Sequence, residues 1–110
     1  MPKFNPIFLE EADEFLDDLD VKIKAKILYN IAKAQQLNDP KLFKKLTTEI
    51  WEFRTKYENL QYRLFAFWDK RDKQDTLVIC THGIIKKTDK VPAQDIEKAE
   101  RVRKNYFENH

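Results

Sequence analysis

Glycine occurs once in this chain, at Gly83, cysteine once, at Cys80, and histidine only at positions 82 and 110. Each scarcity closes a class of function. Phosphate-cradling loops and the dinucleotide-binding turn both need several glycines, so neither can be built here. A lone cysteine forms no internal disulfide, and together with two histidines it falls short of a Cys/His zinc set. No metal and no cofactor are therefore expected. The longest apolar run, Leu64-Phe65-Ala66-Phe67-Trp68, is far below the ~20 residues that cross a bilayer. The start, Met-Pro-Lys-Phe-Asn-Pro, lacks the apolar stretch of a secretory signal. The expectation is a cytoplasmic protein with no membrane partner.

What the chain does have is aromatic and charged. Hydrophobic residues reach 42% and aromatics 13% of 110 residues, enough to fill one core, so residues 1–110 read as a single domain. Charged residues make up 36%, but they interleave with apolar ones at regular spacing, which argues for folding rather than disorder. The net charge of +2 hides a division: residues 1–20 carry −6, residues 21–90 carry +8, and residues 91–110 balance. A basic middle can focus a field on phosphate if the fold gathers its lysines; the alternative is a solvated, highly charged surface.

Residues 4–8 read as a short strand. An acidic amphipathic helix follows, with Ala12, Phe15, Leu16 and Leu19 on one stripe. Asp20 suits the N-cap of a second helix, whose buried side is expected to hold Ile23, Ile27, Leu28, Ile31, Ala32 and Ala34. Asn38-Asp39-Pro40 stops it. Residues 49–55 read as strand, with Trp51 and Phe53 alternating against Glu52 and Arg54. In residues 60–69, Tyr62, Leu64, Ala66 and Trp68 fall on one face and Arg63, Phe65 and Phe67 on the other. Residues 77–82 make a third strand, and Lys86 to Val91 a polar connector. Pro92 then opens a last helix, with Ile96, Ala99, Val102 and Tyr106 on one side. The fold class is α+β: an N-terminal helical hairpin on a small, mostly antiparallel sheet, with a C-terminal helix. Helices are expected to cover one face of the sheet and leave function to the other.

Four features carry chemistry. Lys44 and Lys45, with Arg54 and Lys56, suit phosphate positioning, which needs diffuse positive charge; a basic edge that blocks sheet pairing would look the same. Arg63 sits in mid-strand between apolar neighbours and so needs a partner or a ligand. One option is an ion pair with Glu52 on the adjacent strand, and the other is a guanidinium fork aimed at a phosphate. His82 lies near a strand end, beside Gly83, which implies a bulge or a close backbone approach. Lys86 and Lys87 follow. Glu52 is either a general base or the partner of the arginines.

Taken in order, Phe43-Lys44-Lys45-Leu46, Ile50-Trp51-Glu52-Phe53-Arg54, Tyr62-Arg63-Leu64-Phe65 and His82-Gly83-Ile84-Ile85-Lys86-Lys87-Thr88 with Pro92 downstream resemble the HigB-like toxins of the RelE/ParE superfamily. The resemblance spans nearly the whole chain. It implies a phage-derived toxin of a type II toxin–antitoxin pair, held by a HigA-like helix-turn-helix antitoxin and acting on mRNA at the ribosome. The implied activity is endoribonucleolytic and needs no metal: a ribose 2′-hydroxyl attacks the adjacent phosphate. Carried over by position, Arg63, His82, Lys86 and Lys87 would be catalytic, with His82 the acid/base group, while Lys44, Lys45, Arg54 and Lys56 would hold the RNA backbone. Phe53 stands where the family pattern has leucine, and Ile85 falls among residues near which other branches place a catalytic arginine. The same fold also serves ParE-like inhibitors of DNA gyrase that perform no nuclease chemistry, and an inactivated toxin that only binds its antitoxin would share these motifs.

Overall fold

The computed structural model describes residues 3–88 and 90–110, so Asp89 of the expected connector lies outside the described residues. The chain runs β1 (Asn5–Phe8), α1 (Glu10–Asp17), α2 (Val21–Gln36), β2 (Phe43–Lys45), β3 (Trp51–Tyr57), β4 (Leu60–Asp69), β5 (Leu77–Lys86) and α3 (Ala93–Asn109). The strands form one sheet in the order β1-β5-β4-β3-β2. Strands β2 to β5 are an antiparallel meander, because short connections reverse the chain each time. The helical hairpin between β1 and β2 lets the first strand lie parallel to β5 on the far edge.

Local chemistry explains the boundaries. The Asp20 carboxylate accepts the Lys22 backbone N–H at 2.9 Å and caps α2. A two-residue turn, Glu58-Asn59, joins β3 to β4, and both residues have positive φ (46° and 68°). This is the twist that a tight hairpin requires, and Asn59 tolerates it well. Pro92 lies just outside α3 as its N-cap, so the helix starts at Ala93, one residue later than expected.

Four differences from the sequence reading matter. Phe43–Lys45 forms an edge strand where only a connection was expected. The strand expected to end at His82 continues to Lys86. On α2, Leu28 (38% exposed) and Ala32 face outward, while Asn30 is buried and donates to the Thr55 hydroxyl at 3.1 Å. The chief correction concerns the helices, which cover both faces of the sheet. Helices α1 and α2 pack Ala12, Leu16, Ile27 and Ile31 over Leu64, Ala66, Val78 and Cys80. Helix α3 packs Ala99, with Ile96, Val102 and Phe107, over Phe65, Phe67 and Ile79 on the other side. The reason is β4 itself, whose apolar side chains on both faces each need a cover.

A bulge separates two registers in the β4–β5 ladder: Ala66 pairs with Cys80 but Phe65 with His82, leaving Thr81 as the extra residue. Beyond it, Gly83 faces α1, and a Cβ placed there would overlap the Phe15 ring. Its φ is not positive, so close approach, not turn geometry, is what the glycine provides.

Candidate functional site

The face that carries α3 is only partly covered. Toward the β3–β4 turn it lies open, and strand alternation brings Glu52, Arg54 and Lys56 of β3 beside Gln61 and Arg63 of β4. Arg54 pairs directly with Arg63 across the ladder, which on its own would repel. Glu52 sits on the same face and resolves this: its Oε2 lies 2.9 Å from Arg63 Nη1 and 3.7 Å from Arg54 Nε. The second amino group of Arg63 donates to the Gln61 side-chain carbonyl. Arg63 and Glu52 are 2% and 1% exposed, so this is a buried ion pair, and its members are costly to separate.

In front of that pair is a recess of about 280 Å³, lined by Lys41, Arg54, Thr55, Lys56, Gln61 and Arg63. Four cations meet there, with Glu52 behind them, so the recess carries an excess of positive charge, the chemistry that suits an anion. Arg54 also donates to the Pro40 carbonyl at 3.5 Å, which ties the recess to the turn before β2. Lys86 shares this face, paired with Gln61 in the ladder.

His82 belongs to the same face, opposite Phe65 and two positions along β5 from Ile84, the partner of Arg63. Its ring stacks on Phe65 with centroids 4.9 Å apart. Nε2 lies 3.1 Å from Asp95 Oδ1 and Nδ1 lies 2.8 Å from the Thr81 hydroxyl. A carboxylate can only accept, so Nε2 carries the hydrogen, and in the neutral ring Nδ1 accepts from Thr81. The side chain is 3% exposed beneath the first turn of α3. Burial pushes the imidazole below its ordinary value; the hydrogen bond to Asp95 opposes this, and Lys98 adds to the lowering.

Of the residues singled out in the sequence, the fold gathers Arg54, Lys56 and Arg63 at the recess, with Lys86 on the same face. Lys44, opposite Glu52, flanks it on the edge strand. Lys45, the next residue, pairs with Trp51 and therefore falls on the opposite face. Lys87 is exposed beyond the ladder. Of the two roles weighed for Glu52, it occupies that of arginine partner. Sequence reasoning missed Lys41, Gln61 and Asp95. Gln61 was detectable, since it precedes Arg63 by two in a strand and so must share its face. Asp95 had no such signal, being placed by packing of a distant helix.

Among the described residues no group of three or more His, Cys, Asp or Glu side chains is placed to hold a metal ion, and no helix is long and apolar enough to cross a membrane. The model of a family described as Phage derived protein Gp49-like (DUF891) matches residues 14–104, a stretch that contains the whole recess and His82. No curated protein matches the chain.

Proposed function

The chain belongs to the phage-derived Gp49-like family, a RelE/HigB-like toxin family, and we propose that it is the toxin of a toxin–antitoxin pair that cleaves mRNA at the ribosome. The observation that carries this reading is the convergence of Lys41, Arg54, Lys56 and Arg63 on one recess. Phosphodiester cleavage by a neighbouring 2′-hydroxyl uses a nucleophile that RNA itself supplies. The oxygen attacks phosphorus, the 5′-oxygen leaves with a proton, and a cyclic phosphate remains. The protein must stabilise the charge of the five-coordinate phosphorus and move two protons.

In this reading Arg54 and Lys56, at the rim, hold the phosphate, and Lys44 extends the track. Arg63 supplies fixed positive charge from the floor, preorganised by Glu52 and Gln61 so that little reorganisation accompanies the reaction. Lys86 adds charge from β5, and Lys87 contacts the backbone beyond it. His82 is the proton carrier, its tautomer set by Asp95 and Thr81. Because α3 covers the ring, its access to RNA requires the first turn of that helix to shift. The partners of the reading are an antitoxin of the helix-turn-helix, HigA-like type, the ribosome and mRNA.

A translating extract with a reporter mRNA tests it. Defined cuts that require ribosomes and leave cyclic phosphate ends are expected, and intact mRNA in the presence of folded protein would refute the nuclease. One observation favours a second reading. Both ring nitrogens of His82 are engaged and the ring is buried, which suits a protein that binds its target without chemistry, as a ParE-like gyrase inhibitor would. Accumulated gyrase–DNA complexes with intact mRNA would select that reading.

A further inference from the structure

The chain's two tryptophans lie together, away from the recess. Trp51 opens β3, Trp68 nears the end of β4, and their rings meet edge-on with centroids 5.8 Å apart. With Phe107 of α3 they wall a groove of about 560 Å³ at the end of the sheet. Four cations, Lys45, Lys70, Arg71 and Arg103, line the same groove.

The cations are arranged rather than scattered. The Lys70 ammonium lies 4.8 Å above the Trp68 ring, and the guanidiniums of Arg71 and Arg103 lie 4.8 and 5.0 Å from the Phe107 centroid. Arg71 is held by Asp69 at 2.8 Å and Arg103 by Glu49 at 3.0 Å. Two carboxylates thus face four cations, so the groove keeps an excess of positive charge over aromatic walls.

Rings, flat guanidiniums and surplus ammonium charge are together the complement of a single nucleic-acid strand: phosphates take the cations, and bases take the flat faces in a sequence-tolerant way. A docked peptide helix would need an unbroken apolar stripe, which these cations interrupt. The edge strand β2 joins this groove to the recess. Lys44 points to the recess face and Lys45 to the tryptophan face, so a strand leaving the recess stays on positive charge.

We propose that this groove is a second binding site, for a single-stranded RNA segment that flanks the one in the recess, with phosphates on Lys45, Lys70 and Arg103 and a base against the tryptophan wall. That the occupant is RNA rests on the endoribonuclease reading above.

Both tryptophans line the groove, so tryptophan emission, excited selectively over the four tyrosines, reports on it. Titration of the whole protein with a uridine octaribonucleotide should quench this emission saturably. The doubly substituted Lys45→Glu, Lys70→Glu protein, altered at two exposed positions, should need about tenfold more RNA or higher for half-quenching. The charge-matched control Lys22→Glu, Lys26→Glu, altered at exposed positions of α2 outside both the recess and the groove, should shift it by less than about threefold. Unchanged quenching in the double variant, no saturable quenching of the wild type, or equal quenching by a glutamate octapeptide or by uridine monophosphate would each overturn the site. Ribosome-dependent cleavage without quenching would overturn the groove and leave the nuclease standing. Quenching with intact mRNA would do the reverse.

Discussion

The carboxylate of Glu52 stands 2.9 Å from the guanidinium of Arg63, with both side chains out of solvent on the face where the recess opens. The pair therefore acts as foundation for the recess, because it holds charge in place against the neighbouring Arg54. Glu52→Gln should leave two facing arginines without a countercharge and cost about 3–5 kcal/mol of stability. Replacing both members, as Glu52→Gln with Arg63→Met, should recover much of that loss. Urea unfolding of the two single variants and the double variant measures the coupling directly.

Arg54 and Lys56 meet solvent at the recess rim, so their contribution to RNA binding should be electrostatic. Lys56→Ala should lower the slope of log affinity against log salt by about one phosphate contact and weaken binding of all sequences alike. Lys87→Ala, beyond the ladder, should change the slope less. Filter binding of an oligoribonucleotide at several salt concentrations distinguishes the two.

His82 predicts a pH dependence of stability with a definite sign. Its folded value lies below the ordinary 6.5, so the unfolded chain takes up the proton first as pH falls. Stability should be complete above about pH 6.5, decline as the unfolded histidine protonates, and stop declining on this account below the folded value. Melting temperatures between pH 7.5 and 5 should fall in the wild type, and His82→Gln should flatten that portion of the curve.

Gly83→Ala should destabilise by about 1–3 kcal/mol, because its methyl group would enter the space of the Phe15 ring. The cost should shrink when Phe15 is also replaced by alanine, since the clash and not the backbone is its origin. Thermal or urea unfolding of the four proteins in the cycle provides the test.

The strands with strict alternation were legible in the sequence. Leu60–Asp69 falls where the pattern of Tyr62, Leu64, Ala66 and Trp68 against Arg63, Phe65 and Phe67 places it. The Glu52–Arg63 pair was legible as one of two options, for a buried guanidinium in mid-strand demands a partner. The edge strand Phe43–Lys45 was not, because three residues are too few to show a period, and its pairing with β3 creates it. Nor was the separation of Lys44 from Lys45 onto opposite faces visible until that strand existed. The burial of His82 escaped for another reason. It depends on Asp95 and on α3, whose apolar stripe says that it packs but not on which side of the sheet.

Helix α3 is the helix that covers Phe65, Phe67 and Ile79, and it is fastened near both ends, by Asp95 to His82 and by Tyr106 to Asp69 at 2.8 Å. A chain that stopped before Pro92 would present three large side chains to water as a continuous greasy patch. Such a fragment should be lost to clumping and proteolysis rather than persist in weakened form. Nonsense changes late in the reading frame should thus be as disabling as early ones.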